Sequence, residues 1–314
     1  MAAFASSSAP LRGAPFAHTY SIIARDRTTG EIGAAVQSHW FAVGTVVPWA
    51  QAGVGAVATQ ALTNPAFGPK GLELMSKGVP PREAVERMVG EDEGREHRQL
   101  ALIDAKGDSY AYTGKRCVAC AGHASERDLS VQANMMLRAT VWDAMASAFR
   151  RAEGPLAERM LAALEAAEGE GGDARGRQSA ALVVVRGEST GMVWKDRSID
   201  LRVDDHPEPL QELRRLLGVH RAYESMDAGD AAMGAGRMEE ALHHYSKAEA
   251  MLPGNAEVVF WHAVGLANID RFEEAVPLFR RAFEAEPNWK VMVPRLRTVG
   301  MLRIGEGEAS RLLQ

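Results

Sequence analysis

Residues 222–255 and 256–289 repeat each other at an offset of 34 positions. The run from Arg237 to Ala241 (RMEEA) returns as Arg271 to Ala275 (RFEEA). At the same offset Tyr245 answers to Phe279, Ala248 to Ala282 and Pro253 to Pro287. A repeat of this length restricts the segment to stacked helix pairs, in which small residues let two helices approach and the proline ends the second one. Gly229 holds the close-packing position in the first unit and Ala263 in the second. Two units are fewer than the roughly three that such stacks need to stand alone. Their apolar faces therefore call for cover from the preceding domain or from another copy, and a homodimer is expected.

Upstream, the pattern is that of an α+β domain over residues 19–218, with the helical repeats and a C-terminal helix filling 219–314. Runs rich in Val, Ile, Ala and Thr (TYSIIAR, IGAAVQS, GVGAVATQ) open it, with Gly30 in the first connection, where a tight turn demands positive φ. Helical spacing follows on both sides of Pro80 and Pro81. Strand-like runs return at QLALIDA, SYAYTG and LSVQANMM, then helical spacing over Val141–Ala152 and Pro155–Ala167. Two more strands, SAALVVVR and SIDLRVDD, precede a helix from Glu208 to Leu217. A strand such as ALVVV, apolar without alternation, needs cover on both faces. The order of strands, helices, strands, helices, strands predicts a four-layer αββα sandwich of antiparallel sheets; a doubly wound parallel sheet would alternate strand and helix one by one.

Composition narrows the function. With 36 Lys and Arg against 41 Asp and Glu the net charge is −5, which excludes a nucleic-acid binder driven by bulk charge. At 46% hydrophobic residues the chain is too apolar to stay disordered. Its most apolar stretch, Ile32 to Val57, is broken by Gln37, His39, Pro48 and Gln51, short of the roughly 18 residues of a membrane-spanning helix. The first 18 residues mix small residues and Pro with one Arg and no continuous apolar centre, so they read as a flexible leader. The two cysteines, Cys117 and Cys120, cannot form a disulfide framework and fit a reducing cytoplasm. With His123 they fall short of the four ligands of structural zinc, and the spacing excludes haem attachment. No metal and no cofactor are expected.

Several blocks together carry a resemblance: HTYSIIARD, the long run from Thr29 to Met75, GREHRQLALID, GDARGRQSAALVVVR and DLRVDDHPEP. Over about 200 residues they closely resemble the family called domain of unknown function 1028. The resemblance implies a fold similar to the N-terminal-nucleophile hydrolases, with amide-bond hydrolysis as their characteristic chemistry; the leading expectation is hydrolysis of a small, non-peptide C–N substrate, and the alternative is a non-catalytic ligand-binding or scaffolding protein. The family's opening Thr-aromatic-Ser block falls on Thr19, Tyr20 and Ser21. Thr19 is then the first choice of nucleophile and Ser21 the second. A chain-terminal Thr uses its own α-amine as base, so this chemistry requires removal of the leader. Without that context Thr19 is an ordinary strand residue. The repeats resemble the tetratricopeptide repeat, which implies a groove for a peptide or protein partner.

Further candidates are weighed against plain structural roles. His39 suits a proton shuttle beside Gln37 and Ser38, which could bind substrate, or it caps a strand end next to Trp40. Gln60 and Asn64 follow one strand, while Gln132 and Asn134 share a face of another. Such amides supply an oxyanion donor, with Asn134 the choice, or they satisfy neighbouring backbone. Arg175, in the glycine-rich loop before ALVVV, suits a substrate carboxylate, or it is a solvated hairpin charge. That loop lacks the spacing of a nucleotide phosphate loop. Asp205 and His206 orient each other at a site, or they cap the helix that follows Pro207.

Overall fold

A computed structural model describes residues 16–17 and 19–314; the remainder of the expected leader, 1–15 and 18, lies outside the described residues. The chain divides into two compact units at Arg214/Arg215.

The first unit holds two antiparallel sheets. One contains β1 (Phe16–Ala17), β4 (Pro48–Gln51), β5 (Gly55–Leu62), β6 (Arg98–Asp104) and β7 (Ser109–Thr113), with β1 and β4 both on β5 and the order β5-β6-β7. The other runs β11-β10-β3-β2-β9-β8, where β2 is Thr19–Arg25, β3 Ile32–Ser38, β8 Gly122–Glu126, β9 Leu129–Ala133, β10 Ser179–Val185 and β11 Arg197–Val203. Every pairing is antiparallel among the described residues, which removes the doubly wound alternative. Phe16 and Ala17, read from sequence as part of a loose leader, pair with Leu62 and Ala61.

Helices α1 (Phe67–Ser76) and α2 (Pro81–Gly90) pack on the first sheet through Phe67, Leu72, Val85 and Met88 against Val57, Leu100 and Leu102. Helices α3 (Val141–Arg151) and α4 (Leu156–Gly169) lie on the second sheet, against β2, β3, β9 and β10. Between the sheets, Ile23, Val36, Ala58, Ala101, Ile103 and Val183 form one core. This explains the unbroken ALVVV run. Ala181, Val183 and Val185 enter the inter-sheet core while Ala180, Leu182 and Val184 occupy the opposite, equally buried face. Gly30, at φ 74°, lies in the hairpin connection between β2 and β3 as its position predicts. Strands β4 and β8 escape the sequence reading because both are partly exposed and lack an apolar alternation. The run LSVQANMM ends its strand at Ala133, since Met135 adopts a left-handed φ of 59°.

The helix expected to stop at Leu217 continues as α6 (Pro209–Gly234). After it come α7 (Met238–Met251), α8 (Ala256–Ala267), α9 (Phe272–Ala285), α10 (Trp289–Thr298) and α11 (Glu306–Leu313). Each 34-residue segment thus spans a helix, a turn and a helix. Gly229 lies against the buried Tyr245 ring, where a Cβ would come within 2.7 Å of Cε1. Phe279, at the matching place, meets Phe260 edge to face at 5.4 Å between ring centres. Leu296, Leu302 and Leu312, from the α10–α11 region, join this core. The α10–α11 region therefore covers part of the apolar face that the two repeats present.

Candidate functional site

Strands β2 and β3 bring Thr19 opposite Ser38 and Ser21 opposite Val36. Residues two apart on a strand share a face, and here Thr19, Ser21 and Ser38 turn toward the first sheet with Ile23 and Val36. That sheet answers with Gln60 on β5, paired in register with Gln99 on β6. Gln132 on β9 stands opposite Ser21, and Asn134 follows the strand's end. All seven polar side chains are fully buried, so each amide must find partners.

They find them largely in one another. The Ser21 hydroxyl donates to Gln60 Oε1 at 2.6 Å and accepts from Gln132 Nε2 at 2.6 Å. Gln60 Nε2 donates to Gln99 Oε1 at 2.7 Å and to the Thr19 carbonyl at 3.1 Å. Asn134 Nδ2 donates to Gln99 Oε1 at 2.9 Å and to the Thr19 carbonyl at 3.4 Å, and the Asn134 backbone N–H reaches the same carbonyl at 3.1 Å. Gln99 Nε2 in turn holds Thr113 Oγ1, the Gly122 carbonyl and the Ala133 carbonyl. Three donors therefore fix the carbonyl of the residue that opens β2. Two left-handed residues, Ala61 at φ 70° and Met135 at φ 59°, directly follow Gln60 and Asn134. Backbone strain of this kind, costing of order 1–3 kcal/mol per residue, persists where surrounding structure enforces it.

At the rim, Asp173 is buried and accepts from the backbone N–H of His39 at 3.2 Å. Its carboxylate also takes Arg175 through Nε at 3.0 Å and Nη2 at 2.7 Å. The His39 ring is exposed, with Nδ1 3.3 Å from the Arg177 carbonyl. Arg175 thus stands with a built-in counter-charge near the end of β3.

Other candidates lie elsewhere. Gln37 is opposite Tyr20, on the sheet face toward α4, and both its amide atoms are buried without a hydrogen-bond partner among the described residues. Tyr20 donates to Glu168 of α4; burial, followed by that carboxylate, raises the phenol well above its ordinary value. Asn64 Oδ1 accepts from the Ala66 N–H just before α1, a turn role. Asp205 accepts from Gln178 Nε2, and His206 Nδ1 accepts from the Glu208 N–H at the entry to α6. His206 thus sits at the helix entry, whereas Asp205 bonds a neighbouring side chain. Cys117 donates to the Arg98 carbonyl, and burial pushes its thiol up to about 11.

Gln99 and Asp173 were missed from sequence. Gln99 reads as the polar start of an apolar strand, and only its register with Gln60 reveals it. Asp173 lay inside the singled-out glycine-rich loop, where its spacing from Arg175, two residues on, was the available signal.

Over 89 residues the chain is 35% identical to the Hsp70-Hsp90 organizing protein of Triticum aestivum, a match covering 28% of this chain but 15% of that protein. The crystal structure of a Silicibacter pomeroyi protein described as DUF1028 superposes with a TM-score of 0.57 at 32% identity, covering 63% of this chain and 87% of the other. The model of the family of unknown function DUF1028 matches residues 19–213, beginning at Thr19. Through that stretch, which contains both sheets from Thr19 onward and the buried amide cluster, the chain belongs to the DUF1028 family.

Proposed function

We propose that residues 19–213 form an αββα hydrolase of the N-terminal-nucleophile type that cleaves a small, non-peptide amide. The observation that carries the reading is the Thr19 carbonyl held by Gln60 and by the backbone and side chain of Asn134. This fixes the first residue of a buried strand as a positioned nucleophile requires. Helices on the outer faces of two facing sheets support the fold assignment.

Removal of the residues before Thr19 frees its α-amine. The amine takes the hydroxyl proton as Oγ attacks the substrate carbonyl, and the resulting tetrahedral oxyanion is held by N–H donors. The C–N bond then breaks, the departing nitrogen takes that proton, and water cleaves the Thr19 ester to release the acid. Asn134 already spends its side-chain N–H groups on Gln99 and Thr19. Its oxyanion role requires one of these bonds to be exchanged for substrate, whereas its positioning role does not. Ser21 and Gln132 support Thr19 through Gln60, and Ser38 stands beside it as a substrate contact. Arg175, oriented by Asp173, presents its guanidinium to a substrate carboxylate. His39, exposed at this rim, is the alternative base when the α-amine is blocked.

Intact-mass analysis and N-terminal sequencing of the purified chain, followed by a panel of small amides, test the reading. The expected chain begins at Thr19, and Thr19→Ala loses hydrolysis while keeping its melting temperature. Full turnover by that variant removes the assignment.

A second reading applies to residues 215–314. The 34-residue repeat and the similarity to an Hsp70-Hsp90 organizing protein support a tetratricopeptide-type surface for a peptide partner. Pull-down and mass identification with the intact chain, repeated with Thr19→Ala, test it: binding must survive loss of hydrolysis. The free cysteines suit a reducing, cytoplasmic setting.

A further inference from the structure

Strand β2 opens with Thr19 and closes with Arg25, so its two ends lie on the order of 20 Å apart. At the Arg25 end there is a separate cavity of about 300 Å³, at the small end of the range for ligand pockets. Its lining carries five arginines, Arg25, Arg27, Arg127, Arg150 and Arg159, against three carboxylates, Asp26, Glu126 and Asp128.

The carboxylates are already supplied with donors. Asp128 accepts from Arg25 Nη1 at 3.2 Å and Arg27 Nε at 2.6 Å. Asp26 accepts the Thr28 and Thr29 backbone N–H groups on one oxygen and Arg159 Nη1, at 3.1 Å, on the other. Glu126 takes Arg150 through two parallel bonds of 2.9 and 3.0 Å. Arg127 turns to Asp108 and the Lys106 carbonyl. The guanidinium side is not so satisfied. Each guanidinium carries five N–H donors, yet these bonds use one each from Arg25, Arg27 and Arg159. The Nε atoms of Arg25 and Arg159 are buried and meet no acceptor among the described residues. Arg159 is held in place over the Phe149 ring, 4.3 Å from its centre.

Counting Asp108, which holds Arg127, five guanidinium groups stand with four carboxylates, and the N–H donors that Arg25, Arg27 and Arg159 leave unused match the terminal oxygens of a compact anion. Phe149 and Leu129, also in the lining but mostly buried, give the cavity a small apolar edge beside the anion position. We propose that this cavity binds the phosphate group of a small phosphate monoester, at a site separate from Thr19.

Isothermal titration of the full chain at physiological salt tests this, using inorganic phosphate, glycerol phosphate and succinate as probes. The expected result is saturable uptake of one glycerol phosphate per chain, with inorganic phosphate binding more weakly and succinate weaker still. Arg27→Gln weakens uptake by about tenfold, Arg159→Gln abolishes it, and Thr19→Ala binds as the parent does, which separates this site from the proposed hydrolase centre. Arg27 has a side chain 72% exposed, so its replacement leaves folding intact and decides the matter should Arg159→Gln fail to fold. No saturable heat with either phosphate, or unchanged binding by Arg27→Gln, overturns the proposal. Uptake of inorganic phosphate alone overturns the monoester assignment, and succinate binding as tightly as glycerol phosphate overturns the phosphate one.

Discussion

The buried amides between the sheets stand or fall together. Gln99 holds three acceptors through Nε2 and receives Gln60 and Asn134 on Oε1. Gln99→Leu keeps the volume and removes all five bonds, each worth about 0.5–1.5 kcal/mol net, while Gln60, Asn134 and Thr113 each keep another partner. Denaturant unfolding is expected to show a loss of about 3 kcal/mol or more, after some relaxation; a loss under ~1 kcal/mol would mean that the network adds little. Cys117 makes a different prediction. Its thiol, ordinarily near 9, is raised to about 11 by burial. As pH rises from 9 toward 11 the unfolded chain releases this proton first, so the contribution of Cys117 to stability is full below 9 and declines above it. Cys117→Ala is expected to flatten the fall in stability over that window, and Cys117 in the folded chain should react slowly with iodoacetamide at pH 8.

Within α6, two glycines have opposite surroundings. A methyl group added at Gly218 would meet nothing within 4 Å, whereas one added at Gly229 would lie 2.7 Å from the Tyr245 ring. The same ring is 3.0 Å from the corresponding point at Gly265, so it has no room to retreat. Alanine gains about 0.8–1 kcal/mol over glycine in a helix interior, and overpacking costs about 1–3 kcal/mol. Gly218→Ala should therefore raise the melting temperature and Gly229→Ala lower it, as circular dichroism melts will show; equal shifts of one sign would refute the packing argument. The strands divide in the same manner. Buried runs such as SAALVVV declare themselves by composition, while β8 (GHASE) forms because β9 offers it a hydrogen-bonding edge.

The chain as a whole contains separate cores. Ile23, Val36 and Ala58 belong to one, and Phe260, Phe279 and Leu302 to another, in different compact units. Calorimetry of the full chain is expected to resolve more than one transition, with Gly229→Ala lowering one and Gln99→Leu another. A single transition shifted by both variants would show that the units unfold as one.

Local pattern was enough to read the mixed α+β class, the antiparallel opening, the 34-residue helical pairs and the shared strand face of Gln132 and Asn134; Thr19 and Ser21 were singled out by the family resemblance. Periodicity and turn chemistry act within a few residues, so they are written in the chain itself. Only the tertiary structure brought Gln99 opposite Gln60, placed Asp173 under His39 and Arg175, and turned Gln37 to the face away from Thr19. It also gave Asn64 a turn contact and His206 a contact at the entry to α6, and paired Asp205 with Gln178. Register and the pairing of distant polar groups depend on which sheet faces which, and no window of sequence contains that choice.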